Sequence, residues 1–258
     1  MCEAKLEKRE IVAIWDNDTQ AQFLKLIEDF TVKHGNPPVF INPRNDNHKY
    51  HLGVLCNVAR TFLTDAMLLD ENAENFDGFK VLEIGSYLGD STIIFSKHFE
   101  QVMTVDPYGL TNQFSPIDDL VEEVKSKNDE VDMQVKLAPT GEILHFYMEN
   151  HVVANHDNIE LRRMTSDDFF YNNTVGPKSS QYPLHRFDLI YVDGDHRYSQ
   201  QIRDYTNALA CLNPQGIVAG HDFSWESTQR VLRELGFDKK PILHFGDDSF
   251  MILPKYMH

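Results

Sequence analysis

Short apolar runs alternate with helical stretches from residue 80 onwards. The runs cover residues 80–84, 101–105, 159–164, 187–192 and 217–219. Helices are predicted over Ser91–His98, over about 116–153, from Tyr198 to the turn Asn213–Gly216, and over Ser227–Leu235. Because parallel strands need helical crossovers, this alternation predicts an α/β fold with a doubly wound, mostly parallel sheet covered on both faces. Pro241–Phe245 and Phe250–Leu253 predict a final antiparallel hairpin.

The first 79 residues predict a helical extension instead. Thr19 and Gln22 form a capping-box pair at the start of one helix, and Leu55–Ala66 forms part of a second amphipathic helix. A polar, proline-containing loop is predicted between them over residues 36–50. We therefore expect an extension over 1–79 and a sheet-containing domain over 80–258, with the extension serving as a cap, as scaffold or as the surface of a homo-oligomer.

The composition restricts both the cellular compartment and the binding partners that we expect for this chain. The chain has 258 residues with 24 Lys and Arg against 40 Asp and Glu, a formal net charge of −16. Such a charge repels nucleic-acid phosphates and anionic membranes, so neither is an expected partner. The cysteines Cys2, Cys56 and Cys211 are odd in number and form no CxxC pair, which suits a reducing compartment. With a charged start and no membrane-length apolar stretch, the sequence predicts a cytoplasmic protein.

The strongest chemical signal is VLEIGSYLGDS at residues 81–91, a strand followed by a glycine turn and a helix start. Gly85 allows backbone to approach a ligand, Gly89 permits close packing, and Ser91 opens a helix whose N–H groups favour an anionic group. Asp106 follows the next strand, where an acid can accept hydrogen bonds from ribose hydroxyls. The G-x-x-x-G spacing differs from the pyrophosphate-binding G-x-G-x-x-G, so it predicts a nucleoside ligand without a diphosphate.

The segment Glu83–Gly89 resembles the first motif of class I S-adenosylmethionine-dependent methyltransferases. The resemblance covers about residues 80–253 and implies a seven-stranded Rossmann-like sheet. It implies that Glu83, Gly85, Ser86, Gly89 and Ser91 surround the cofactor, whose amino-acid part the loop cradles. It further implies that Asp106 binds the ribose and that Ser166 and Asp167 contact the adenine.

Two further motifs narrow this resemblance. YVDGDHRY at 191–198 and GHDF at 220–223 resemble small-molecule O-methyltransferases that act on sugars and macrolides. The resemblance implies a small hydroxylated acceptor and a divalent cation, Mg²⁺ being the expected one, on Asp193 and Asp222 with His221 as a third ligand. A cation held by oxygen ligands lowers the pKa of a hydroxyl, and Asp193 or His196 is the candidate that takes its proton.

Several alternatives stay open at this stage. A metallohydrolase would use the cluster Asp193, Asp195, His196, His221 and Asp222 around two ions, but it leaves the glycine loop without a purpose. A noncatalytic nucleoside-binding module explains the loop but leaves the cluster unexplained. Phe223 and Trp225 are equally suited to a substrate-pocket wall and to core packing. The segment Tyr171–Arg186, on the carboxyl edge of the sheet, is a candidate lid.

Overall fold

A computed structural model describes residues 46–68, 78–109, 144–145, 148–174 and 184–252. Five α-helices lie in these ranges: α1 (Asp46–Leu68), α2 (Asp90–His98), α3 (Ser166–Thr174), α4 (Tyr198–Cys211) and α5 (Glu226–Glu234). The strands are β1 (Lys80–Ile84), β2 (Gln101–Val105), β3 (Ile159–Arg162), β4 (Phe187–Val192), β5 (Leu212–Gly220), β6 (Ile242–His244) and β7 (Phe250–Ile252). A π-helical turn at Met148–Val152 and 3₁₀ turns at Val153–Asn155 and Phe237–Lys239 complete them.

The seven strands form one sheet in the order β3-β2-β1-β4-β5-β7-β6. Strands β1 to β5 pair in parallel, and β7 pairs antiparallel with both β5 and β6. The predicted doubly wound, mostly parallel sheet with a C-terminal antiparallel hairpin is therefore confirmed. The helix predicted to begin near Thr19, and most of the helical region predicted over 116–153, lie outside the described residues.

Successive strand residues face opposite sides of the sheet, and each side has its own apolar core. On one side, Val81 and Tyr191 pack with α1 and α2, which contribute Leu55 and Phe95 among others. On the other side, the cluster that contains Leu82 is covered by α3, α4 and α5. The sheet therefore has the buried faces that near-continuous apolar strands require. No helix in the described ranges is long and apolar enough to cross a membrane.

Two element boundaries differ from the sequence prediction. Helix α1 begins at Asp46, inside the loop predicted over 36–50. Strand β5 begins at Leu212 and includes Asn213–Gly216, which was predicted as a turn. The pairing with β4 jumps from Phe187↔Leu212 to Leu189↔Ile217, so these four residues bulge within the strand instead of ending it.

The segment Tyr171–Arg186 was predicted as a lid at the carboxyl edge of the sheet. Its two described ends do not lie at that edge. Tyr171–Thr174 belongs to α3, and Asn173 clamps the chain just before β4. The Asn173 side chain donates to the His185 carbonyl at 3.0 Å and accepts from the His185 N–H at 2.8 Å. This clamp lies at the amino end of β4, opposite the carboxyl edge on which a lid was expected. Residues 175–183 lie outside the described part of the chain.

Candidate functional site

Four neighbouring strands end in register at one edge of the sheet. Ile84 pairs with Val105 and with Val192, and Val192 pairs with Gly220. The residues that follow these strand ends are the predicted site residues Gly85, Asp106, Asp193 and His221. Ligands of open α/β sheets bind beyond the carboxyl ends of the strands, so the alignment makes this edge the candidate site.

The glycine loop, residues 85–89, is in direct contact with Asp193 and Gly194, which follow β4. Gly85 has a φ of +88° and donates its N–H to the Val105 carbonyl at 2.9 Å. A Cβ at this position would lie 2.3 Å from the Asp193 carbonyl oxygen, far inside van der Waals contact. Gly89 is similarly constrained: its φ is +76°, and a Cβ there would lie 2.6 Å from Met148 Sδ. Both glycines are required by close contacts as well as by backbone conformation.

Glu83 holds the start of helix α2. Its side chain is fully buried, and its two oxygens accept hydrogen bonds from Ser91 Oγ and Thr92 Oγ1, each at 2.5 Å. Burial raises the pKa of Glu83 to about 7, although these hydroxyl donors oppose the shift. Glu83 and Ser91 thus fix the start of α2 next to the glycine loop, and their predicted place around the cofactor stays a prediction.

Asp106 binds the glycine loop from the neighbouring strand. Its Oδ2 accepts from the backbone N–H groups of Ser86 and Tyr87, both at 3.1 Å, and Oδ1 accepts from the Tyr108 N–H at 2.9 Å. Burial raises the pKa of Asp106 against the effect of these donors. A carboxylate has about four acceptor positions, so one remains for a ligand hydroxyl.

Ser86 turns its side chain into the protein. Its Oγ lies 2.6 Å from the hydroxyl of Tyr108, and both residues are buried. Tyr108, which the sequence did not single out, also donates to the Tyr87 carbonyl at 3.3 Å. The contact that Ser86 offers at this edge is therefore its backbone, while its hydroxyl braces the loop.

Ser166 and Asp167 begin α3 and are tied to α4. Gln200 Nε2 donates to Ser166 Oγ at 3.1 Å and to Asp167 Oδ1 at 3.2 Å. The same nitrogen lies 3.0 Å from Oδ1 of Asp204, a buried acid whose pKa burial raises to about 6. This network fixes the positions of Ser166 and Asp167, the predicted adenine contacts, through hydrogen bonds from α4.

Asp222 lies between two histidines. Its Oδ2 is 2.8 Å from His196 Nδ1, and its Oδ1 is 2.8 Å from His221 Nδ1. Burial favours the neutral acid, but the two histidine contacts outweigh it and hold the pKa of Asp222 far below its usual range. For His196, burial opposes the charged form, yet the hydrogen bond and charge of Asp222, with the charge of Asp193, raise its pKa. Asp222 is therefore an ionised partner that makes His196 a stronger base.

The candidate cation ligands differ from the predicted set. Asp193, His196 and Asp222 each offer a ligand atom within 4.8 Å of the others. His221, the predicted third ligand, has its Nδ1 on Asp222 and its Nε2 2.8 Å from the Asp247 carbonyl oxygen. His221 Nδ1 also lies 3.9 Å from Asp193 Oδ1, so both histidines lie beside the two aspartates, and the ligand role of His221 stays a prediction.

Asp195 is separated from this cluster. It accepts from the Arg197 backbone N–H at 2.9 Å and from Arg197 Nε at 2.8 Å, so it closes the turn that leads into α4. Of the five residues named for the metallohydrolase alternative, Asp195 is thus not among those that converge with Asp193, His196 and Asp222.

Three residues near the site were not predicted as its members or were left undecided. His48 of α1 is buried against Asp247, with Nδ1 2.7 Å from Oδ2. The Trp225 side chain is 38% exposed, and its ring centroid lies 5.1 Å from that of His196. Phe223 packs against Phe250 and belongs with the core, so only Trp225 fits a pocket wall. No spacing along the sequence links His48 with Asp247, because only tertiary packing brings α1 to the hairpin.

Comparisons with known proteins agree with this geometry. The profile of a protein family described as "Methyltransferase domain" matches residues 82–223, more than half of the chain. No curated protein sequence matches the chain significantly.

Solved structures resemble the chain over nearly its whole length. The calicheamicin methyltransferase CalS11 has a TM-score of 0.50 at 13% identity, with 93% of this chain and 94% of that chain covered. An O-methyltransferase from Bacillus cereus in complex with SAH has a TM-score of 0.46 at 13% identity, with 93% and 92% covered. The O-methyltransferase TomG from Streptomyces achromogenes, in complex with SAM, has a TM-score of 0.42 at 12% identity, with 94% and 92% covered. At these identities the likeness to CalS11 establishes the fold.

Proposed function

This chain belongs to the methyltransferase-domain family, and from that membership we propose that it transfers a methyl group from S-adenosylmethionine to a hydroxyl of a small molecule. The observation that carries the proposal is the contact between Gly85 and the Asp193 backbone, where no Cβ fits. It joins the loop expected to hold the cofactor to the segment that bears Asp193 and His196. A methyl donor bound at the loop is thereby brought beside a base and two carboxylates.

His196 is the proposed general base. A hydroxyl is a weak nucleophile until it loses its proton, and a histidine hydrogen-bonded to a carboxylate suits that task. Nδ1–H donates to Asp222, which leaves Nε2 to accept the proton. The acceptor oxygen then forms a bond to the methyl carbon as the carbon–sulfur bond breaks, and S-adenosylhomocysteine leaves as a neutral thioether. Asp222 stabilises the imidazolium, and alignment of the two substrates supplies much of the rate.

Asp193 and Asp222 are the proposed ligands of a divalent cation. Mg²⁺ is usually held by one or two protein carboxylates, with substrate oxygens and water completing its shell. Asp193 and Asp222 satisfy that requirement, because their ligand atoms lie within 4.8 Å of each other. His196 then remains available as the base. When bound, the cation would lower the pKa of the acceptor hydroxyl. The donor chemistry of these residues therefore fits a hard cation.

The cofactor residues follow from the same edge. We assign the ribose to Asp106, the amino-acid part to the loop between Gly85 and Gly89, and the adenine to Ser166 and Asp167. Trp225 is 38% exposed beside His196 and is the proposed wall for the acceptor. The boundary between an extension over 1–79 and the methyltransferase domain over 80–258, and a homo-oligomeric state, stay predictions.

Calorimetric titration with S-adenosylhomocysteine tests the cofactor assignment. Wild type should bind, and Asp106→Ala should bind about 10- to 100-fold more weakly, because a hydrogen bond to a charged group contributes about 1.5–3 kcal/mol. Asp157→Ala, which removes an exposed acid before β3, is the matched control and should bind as wild type does. Absence of binding by wild type would overturn the proposed function, and equal binding by Asp106→Ala would remove its ribose role.

The acceptor and the cation need an activity measurement. A panel of small hydroxylated compounds is incubated with S-adenosylmethionine, and methylated products are detected by mass. Addition of EDTA should lower the rate strongly, and Mg²⁺ should restore it. A rate that EDTA leaves unchanged would remove the cation from the proposal while leaving methyl transfer intact.

A further inference from the structure

A second histidine–carboxylate cluster lies beside the proposed reaction centre. His48 of α1, His221 after β5 and Asp247 in the β6–β7 turn each offer a ligand atom within 4.8 Å of the others. His48 Nδ1 is 2.7 Å from Asp247 Oδ2, and the side chains are 5% and 2% exposed. The rings of His48 and His221 meet edge to face with centroids 5.3 Å apart. Three separate elements thus bring nitrogen and oxygen donors to one buried point.

Both ring nitrogens of His221 face hydrogen-bond acceptors. Its Nδ1 faces Asp222 Oδ1 and its Nε2 faces the Asp247 carbonyl oxygen, both at 2.8 Å. Each neighbour is an acceptor, whereas a neutral imidazole carries a single N–H. With Nδ1–H donated to Asp222, Nε2 and the Asp247 carbonyl present two lone pairs to each other. A second proton on His221, or a metal ion bound beside the two atoms, resolves that contact.

The surrounding residues orient these groups as the second shell of a metal site does. Asp222 fixes the tautomer of His221, which is the carboxylate–histidine arrangement found behind many metal-bound histidines. Ser249 orients Asp247, since its N–H donates to Oδ1 at 3.1 Å and its hydroxyl donates to Oδ2 at 2.9 Å. Ser249 is itself fully buried, and its hydroxyl lies 3.1 Å from that of Tyr191. The ligand set is therefore supported on two sides.

We propose that His48, His221 and Asp247 bind a divalent transition-metal ion of the zinc class. Two imidazoles and one carboxylate suit Zn²⁺ or Co²⁺, whereas Mg²⁺ prefers oxygen ligands throughout. The site differs from the Asp193 and Asp222 pair in both its residues and its metal preference. Because His221 adjoins Asp222, the bound ion would tie helix α1 to the segment that carries Asp222, the partner of the proposed base.

Titration of the full chain with Co²⁺ after chelator treatment tests this proposal without cofactor or acceptor. Wild type should bind one tight equivalent of Co²⁺ with the visible absorption of a low-symmetry site, ahead of any weaker binding at the Asp193 and Asp222 pair, and Zn²⁺ should displace it. His48→Gln and Asp247→Asn should each weaken Co²⁺ binding by at least about 100-fold, since even second-shell changes cost 10- to 100-fold. Asp193→Asn should retain the signal, and so should His185→Gln, which removes an exposed histidine at the opposite edge.

Three outcomes would overturn the site. They are no Co²⁺ or Zn²⁺ binding by wild type, unchanged binding in His48→Gln, or a signal that Asp193→Asn abolishes. The first would leave a network of hydrogen bonds alone, and the third would assign the metal to the carboxylate pair. Far-ultraviolet circular dichroism confirms that each variant is folded, and a wild type that binds neither ion overturns the site whether or not a variant folds. None of these results depends on methyl transfer.

Discussion

His196 Nδ1 lies 2.8 Å from Asp222 Oδ2, so a residue that follows β4 and one that follows β5 form a histidine–carboxylate pair. The pair spans two adjacent strand ends, and the His196 side chain keeps 35% of its surface exposed. A histidine held in this way has a fixed tautomer and an accessible second nitrogen. These are the properties that a general base for a hydroxyl requires.

Replacement of the base should separate chemistry from binding. We expect His196→Gln to lower the methyl-transfer rate by about 10²- to 10⁴-fold, the usual contribution of a general base. Affinity for S-adenosylhomocysteine should stay close to wild type, because His196 is not among the proposed cofactor contacts. Steady-state kinetics with the best acceptor from the panel, together with calorimetry, measures both quantities.

His185→Gln supplies the control, since it removes an exposed histidine at the amino edge of the sheet and should be fully active. A rate for His196→Gln within a few-fold of wild type would mean that the proton leaves by another route. Loss of cofactor binding in the same variant would instead mean that His196 maintains the site structure.

The buried Glu83 predicts a pH-dependent stability. Its pKa rises from 4.5 in the unfolded chain to about 7 in the fold, so the folded state keeps a proton that the unfolded state releases. The stabilisation is complete below pH 4.5 and is lost as the pH rises through about 7. The free energy of unfolding should therefore fall by roughly 3 kcal/mol across this window on account of Glu83.

Urea denaturation of wild type and Glu83→Gln at several pH values measures this effect. The amide stays neutral, so the difference between the two free energies should change with pH and level off at either end. Asp204, whose pKa is also raised, is present in both proteins and cancels from the difference. Parallel stability curves for the two proteins would contradict the assignment.

The sheet could be predicted because its strands are marked in the sequence by apolar runs that end at glycine or aspartate. Residues 80–84, 101–105 and 187–192 were predicted with the observed bounds. The start of β5 was missed because a bulge is set by pairing with β4, and the local sequence Asn213–Gly216 resembles a turn. The start of α1 was missed because its buried residues interact with α2 and the sheet, contacts that local spacing does not encode.

Site residues that directly follow the strand ends could be predicted from the sequence. Contacts that depend on the direction of a side chain or on tertiary packing could not. Asp193, His196 and Asp222 come together as neighbours on adjacent strands. The hydrogen bonds of Glu83 to Ser91 and Thr92 were not predicted, because they depend on the direction of the Glu83 side chain toward α2. His48 and Asp247 are far apart in sequence, so only the packing of α1 against the hairpin brings them together.

The ion pair between Arg60 and Glu100 should contribute little by itself. Arg60 Nη1 and Nη2 each lie 3.1 Å from Glu100 Oε1, but the side chains are 35% and 41% exposed. Exposed pairs contribute about 0.2–1 kcal/mol and weaken in salt. Arg60 also donates to the His98 carbonyl and lies over the rings of Phe79 and Phe99, so its stem and face contribute more.

A double-mutant cycle of Arg60→Ala and Glu100→Gln separates these contributions. Gln at position 100 keeps an acceptor for the Phe79 N–H, which Glu100 Oε2 binds at 2.8 Å. We expect a coupling energy of about 0.5 kcal/mol that disappears in high salt, while Arg60→Ala alone costs about 1–2 kcal/mol. A coupling above about 2 kcal/mol that persists in salt would show that the charges themselves anchor α1.

Gly85 and Gly236 provide a matched test of the contact that supports the proposed function. Both have positive φ, +88° and +70°, but a Cβ at Gly85 would lie 2.3 Å from the Asp193 carbonyl, whereas Gly236 has nothing within 4 Å. Gly236→Ala should therefore cost only the backbone penalty of about 1–2 kcal/mol. Gly85→Ala must also displace the Asp193 backbone, so we expect it to cost at least about 3 kcal/mol in all and to abolish methyl transfer. Urea denaturation measures the two costs side by side, and equal values would mean that the loop can move away from Asp193 and that the two halves of the site are less tightly joined than their contact implies.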